Sequence, residues 1–293
     1  MRRPPIAYLA LAIAALLFGA TFVVVKEAIE SLPPFSFVGW RFLIGAVALL
    51  LLAWPRGSRI WRDGLLAGIF LALGFALQTQ GLLLTSASNS ALITGLFVVF
   101  TPLLMAVIGR RVPNSWTTIG ALVAFFGLAM LTIDDSFQLH KGDLLTVLCA
   151  LAFACHIVVL SRVAYRHPVV PFTAVQLLTT AVGALVASTI SEGIPLPTSS
   201  DWPALLLTGL AVSAGAFTLH VWAQTVVGPS RTAMLLALEP VFAVAFAAWW
   251  LNERLTTRGW VGAILIVGAV FAVLTSTKDT DPIPAAEAIS PAH

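Results

Sequence analysis

Ten stretches of about 20 mostly apolar residues recur along the chain, at 6–25, 35–54, 63–84, 89–108, 115–133, 143–161, 170–190, 203–226, 231–251 and 258–276. As helices, each is long enough to cross the ~30 Å hydrocarbon core of a bilayer. Strict period-2 alternation is absent, which argues against a membrane barrel. Several stretches contain Gly or Pro, which membrane helices tolerate because neighbours satisfy the freed backbone groups. The pattern therefore predicts an all-α integral membrane protein with ten transmembrane helices. The first stretch, behind Met1-Arg2-Arg3, is too long for a signal peptide and lacks a clear small-x-small cleavage site, so it is read as a helix. Residues 278–293 are polar and rich in Pro and Ala, and are expected to form a disordered tail.

Composition agrees with this pattern: 59% of residues are hydrophobic and 10% are charged. The basic balance, with a pI near 9.2, raises the question of nucleic-acid binding. The positions of the charges answer it. With the N-terminus in the cytoplasm, the inner ends hold Arg2, Arg3, Arg56, Arg59, Arg62, Arg110, Arg111, Arg162, Arg166, Arg231 and Lys278, against Lys26, Lys141, Arg254 and Arg258 outside. The bias of 11 to 4 places both termini in the cytoplasm. Topology thus accounts for the positive charge, and no basic patch is left for nucleic acid. Cys149 and Cys155 lie on different faces of one stretch and are read as core thiols, not a disulfide.

The two halves of the chain match weakly but in order. Phe18-Gly19-Ala20-Thr21 lies over Phe153-Ala154-Cys155-His156 at an offset of 135, and Pro34-Phe35 over Pro171-Phe172 at 137. Trp61, Gly68 and Gly74 lie over Trp202, Gly209 and Gly215 at 141, Thr101-Pro102 over Glu239-Pro240 at 138, and Gly127 over Gly268 at 141. Two units follow, 1–138 and 139–277, each with five helices. An odd helix number inverts the second unit in the membrane, an arrangement common in secondary transporters with a site between the halves.

Trp40-Arg41-Phe42, and Leu238-Glu239-Pro240-Val241 running to Leu251-Asn252-Glu253-Arg254-Leu255, carry a resemblance. With the glycine-bearing last stretch (Gly262, Gly268), they resemble the drug/metabolite transporter superfamily in its EamA type, across residues 6–276. The first half departs from that pattern, since Gly109-Arg110-Arg111-Val112 has no acid where the second has Glu253. Within the family the chain looks most like the bacterial aromatic amino acid exporters. The resemblance implies a multi-pass protein of the bacterial inner membrane that moves small metabolites outward by alternating access, amino acids foremost. Sugars, nucleotide-sugars or cationic drugs remain alternative cargoes, and a membrane-embedded lipid enzyme is the alternative from another class.

The candidate chemistry is sparse. Glu239 lies inside an apolar stretch, where a carboxylate is costly unless protonated, paired or facing a wet cavity. Pro240 removes a backbone donor beside it and loosens the helix there. By the repeat, Thr21 maps onto His156, Thr79 onto His220 and Thr101 onto Glu239. Helical spacing adds Gln78 and Thr94 to the same faces. The expected cavity is lined by Thr21, Gln78, Thr79, Thr94, Thr101, His156, His220 and Glu239, with Trp222 as an aromatic wall; helix–helix packing in lipid is the competing explanation for such polar stripes. Arg41 either snorkels to the outer headgroups or meets a buried partner, Glu239 or a substrate carboxylate. Arg41, Pro102 and Pro240 are read as gating or structural residues. There is no Walker-type loop or soluble domain to hydrolyse ATP, no metal-ligand spacing and no nucleophile beside a base. The expectation is a transporter without cofactor, metal or ATPase partner, acting on a small-molecule substrate within the lipid bilayer.

Overall fold

A computed structural model describes residues 4–108, 119–120, 122–123, 125–127, 130, 140–193, 195–252, 254 and 256–276. Most of the fifth apolar stretch lies outside the described residues, as do Arg110, Arg111, Glu253, Leu255 and the tail. Among the described residues all regular structure is helical. Eight segments are long and apolar enough to cross a membrane, and the last predicted stretch is helical over Thr257–Ser276. Leu51 and Ile190, 84% and 83% exposed, stand on the outer surface as lipid-facing side chains do.

Local sequence sets the helix ends. Helix α1 (Pro4–Ser31) stops at Leu32-Pro33, and α2 (Pro34–Leu52) starts with Pro34 in its first turn, where the missing N–H costs nothing. The Glu192 carboxylate then accepts from the free backbone N–H groups of Phe35 and Ser36 at 3.0 and 2.9 Å. Helix α3 (Ser58–Leu83) follows Gly57, whose φ of 88° only glycine adopts freely. At its far end the Lys26 ammonium donates to the carbonyls of Leu82 and Thr85. Ser86 caps the next helix by accepting from Asn89 N at 3.0 Å.

Three of the spans are not continuous α-helices. Residues 87–108 divide into α4 (Ala87–Thr94) and α5 (Phe97–Ile108) around Gly95-Leu96. After α6 (Lys141–Val163) and α7 (Val169–Ser191), the next span opens with α8 (Trp202–Leu206), passes through a π-helix at Leu207–Ala216 and ends as α9 (Phe217–Val227). Residues 229–250 divide at Ala237 into α10 (Pro229–Leu236) and α11 (Leu238–Trp250). The break falls just before Glu239-Pro240, where the sequence predicts a loosened backbone. The two divided spans meet: a Cβ on Gly95 would lie 2.8 Å from the Pro240 ring.

Small residues let these helices approach closely. A Cβ on Gly45 of α2 would lie 2.8 Å from the carbonyl of Gly209 in the π-helix, and one on Gly209 would lie 2.9 Å from the carbonyl of Arg41. A Cβ on Gly19 of α1 would lie 2.7 Å from the Glu239 carbonyl. Backbone carbonyls cannot move aside as side chains can, so these crossings fix α2 and α1 against the second half of the chain. The Gly19 crossing also holds the backbone of Glu239.

Candidate functional site

The described residues line an open cavity between the first and second halves of the chain, about 480 Å³ when the solvent at its mouth is included. Thr21 and Gln78 face it from α1 and α3, and His156, His220 and Glu239 from α6, α9 and α11. Five of the residues singled out in the sequence therefore come together. His156, His220 and Glu239 are 2%, 3% and 7% exposed. The remaining wall is apolar, six phenylalanines (Phe18, Phe22, Phe75, Phe97, Phe153 and Phe217) with Leu71, Ile157 and Leu236. Phe18 and Phe217 stand 4.9 Å apart, Phe75 and Phe153 5.1 Å, and Phe18 meets the His220 ring edge-on at 6.4 Å.

Each histidine is held by a glutamine. His156 Nε2 lies 2.8 Å from Gln176 Oε1, and His220 Nε2 lies 3.1 Å from Gln224 Oε1. The amide nitrogens are engaged elsewhere: Gln176 Nε2 donates to Phe172 O at 3.3 Å, and Gln224 Nε2 donates to Ile157 O at 2.7 Å. The two imidazole rings lie 6.1 Å apart. This pairing orients both rings from behind.

The other expected lining residues are placed differently. Thr94 is buried behind Gln78, whose Nε2 donates to its hydroxyl at 3.3 Å. Thr101 donates its hydroxyl to Phe97 O of its own helix at 2.6 Å, as membrane-buried threonines commonly do. Thr79 is 2% exposed and is not part of the wall. Trp222 is half-buried against the main apolar core, beside the site and not lining it. Pro102 lies within α5, and Pro240 packs at Gly95.

Arg41 corrects the snorkelling reading and the pairing with Glu239. It does not snorkel, being 2% exposed, and among the described residues no carboxylate pairs with it. Its guanidinium lies 4.9 and 5.1 Å from the ring centres of Phe42 and Phe75, and Nε donates to Ser213 Oγ at 3.4 Å. Nη2 has no partner among the described residues. Phe75 separates this cation from the cavity space that the same ring lines.

The aromatic lining was only partly visible beforehand. Phe18 and Phe153 are matching positions of the repeat, Phe97 lies at helical spacing from Thr94 and Thr101, and Phe217 stands three residues before His220. Phe75 carried no signal except its place beside Gly74.

A solved crystal structure shares this architecture, with a TM-score of 0.69 at 21% identity over 94% of this chain and 99% of that one. An uncharacterized transporter of Archaeoglobus fulgidus is 33% identical over 268 residues, spanning 90% of this chain and 84% of the relative. Uncharacterized transporter YoaV of Bacillus subtilis is 26% identical over 272 residues, 87% of this chain and 92% of the relative. A relative named probable amino-acid metabolite efflux pump in Escherichia coli K12 is 29% identical over 277 residues, 87% of this chain and 90% of the relative. The EamA-like transporter family matches residues 5–133 and again 140–275. Matched over nearly its whole length, the chain belongs to the EamA-like transporter family.

Proposed function

We propose that this protein is a secondary transporter that exports small organic metabolites, aromatic and neutral amino acids in particular, by alternating access. In this reading ten helices form two inverted five-helix units, 1–138 and 139–277, with both termini in the cytoplasm of a bacterial inner membrane. The observation that carries it is the cavity, where polar residues of one half (Thr21, Gln78) meet titratable residues of the other (His156, His220, Glu239) inside an otherwise apolar wall. Helices divided at Gly95 and Ala237 flank it, as divided helices flank the sites of many secondary transporters. The named efflux pump among the relatives supports an amino-acid cargo.

Counterflow in proteoliposomes tests the reading. Vesicles loaded with unlabelled phenylalanine should accumulate external labelled phenylalanine, and glucose loading should give none. Accumulation with glucose alone would redirect the cargo to sugars. Comparing wild type with Glu239→Gln, with and without a pH gradient, decides coupling: unchanged gradient dependence in the variant ends a proton role for Glu239.

A further inference from the structure

The polar wall of the cavity presents mainly acceptors, with a second amide N–H of Gln78 left beside them. A carbonyl cannot donate, so the amide groups bonded to Phe172 O and Ile157 O must be the nitrogens of Gln176 and Gln224. Their oxygens therefore face the histidines, and each Nε2 must carry the proton it donates to them. In the neutral ring this leaves Nδ1 a bare acceptor. His220 Nδ1 is buried and has no partner among the described residues. The Thr21 hydroxyl donates its hydrogen bond to Phe18 O, and one N–H of the Gln78 amide donates to Thr94 Oγ1. Glu239, with no side-chain hydrogen bond among the described residues, adds a carboxyl group whose two oxygens both accept once a cationic ligand holds it ionised.

An unmatched cluster of acceptors, buried and carrying a carboxylate, suits a ligand that brings several N–H donors and a positive charge. Around it stand six phenylalanine rings, whose faces attract cations within about 6 Å. We propose that this wall is a recognition subsite for a protonated primary amine, with Glu239 as counter-charge and His220 Nδ1 and the Gln78 oxygen as acceptors, the ligand's hydrocarbon or aromatic part lying on the phenylalanines. The subsite deepens the transporter reading and rests on it for its location. It requires the amine of the cargo and does not require a carboxylate. A ligand bearing only a carboxylate would set its negative charge against Glu239 and the bare lone pairs, with only the second N–H of Gln78 to receive it.

The test is binding of labelled phenethylamine to the purified full chain in lipid nanodiscs, competed by ligands of similar size. Phenylalanine should compete, whereas 3-phenylpropionate should compete at least about tenfold more weakly, the loss expected for a missing charge-assisted hydrogen bond. Phenyltrimethylammonium, a cation without N–H groups, should fall between them. Glu239→Gln and His220→Phe should each weaken phenethylamine about tenfold or more. Neither should change binding of 2-phenylethanol. The proposal is overturned if 3-phenylpropionate competes as well as phenethylamine, if both folded variants bind like wild type, or if folded wild type binds no phenethylamine. The ligand ranking needs only wild type, so a variant that fails to fold leaves it decisive. Flux is read separately by counterflow. Binding with this ranking but no flux would sink the transporter reading and keep the subsite; flux of 3-phenylpropionate but not phenethylamine would do the reverse.

Discussion

The crossing of α2 over the π-helix and the cavity beside it are built from opposite residues and are packed in opposite ways. At the crossing, Gly45 and Gly209 bring backbone against backbone, and there is no room for a single added carbon. At the cavity, large aromatic side chains hold space open around polar groups that lack partners among the described residues. Rigidity is thus concentrated where helices touch through glycine, and unmet hydrogen-bonding capacity where they stand apart on phenylalanine. Arg41 lies between the two regions, its backbone in the crossing and its guanidinium on a cavity phenylalanine.

The contrast can be broken most directly at Gly45. Gly45→Leu should destabilise the protein by about 3 kcal/mol or more, since the obstructing atom is a carbonyl of Gly209. Thermal unfolding in detergent reads this, and a variant as stable as wild type would show the crossing to be loose. Glu239→Gln should behave in the opposite way. Flux and amine binding fall about tenfold, equivalent to about 1.4 kcal/mol, while the unfolding temperature stays the same or rises as a buried carboxylate is removed.

Arg41→Met sharpens the boundary between the regions. A buried guanidinium without a carboxylate contributes little to stability, so an apolar side chain of similar length should leave stability within about 1 kcal/mol or raise it. A large loss would assign Arg41 to the rigid crossing.

The smallest effect is expected away from both regions, at Asp201. Its carboxylate accepts from Thr198 Oγ1 and N and from Ser31 Oγ, all at 2.7 Å. Those bonds, chiefly from Thr198 and then Ser31, hold its pKa below the usual carboxylate value. A lowered folded-state pKa contributes stability at pH values above the unfolded pKa, and loses it as pH falls through the folded one. Wild type should therefore exceed Asp201→Asn in unfolding temperature at pH 6, by about 1 kcal/mol or less, and lose that margin below about pH 4.

The helical spans were legible because hydrocarbon leaves a chain little choice but continuous apolar helices. The break before Glu239 was legible in Pro240. The π-helix was not, since nothing in Leu207–Ala216 marks it locally and it lies where α2 presses on Gly209. At the site, the His220–Gln224 pair could be read from its four-residue spacing, but the pairing of His156 with Gln176 depends on two helices meeting. Mapping Thr79 and Thr101 onto cavity residues failed for a physical reason. A threonine can satisfy its hydroxyl on its own helix, as Thr101 does, and so need not face a cavity.

The most direct measurement is on Thr21→Cys, in a background with Cys149 and Cys155 replaced by alanine. The chain in membranes is treated with a water-soluble thiol reagent, with and without phenylalanine. The account predicts modification from water and protection by phenylalanine, because residue 21 borders the space the solute fills. A thiol that never reacts, or reacts equally with phenylalanine present, would contradict it.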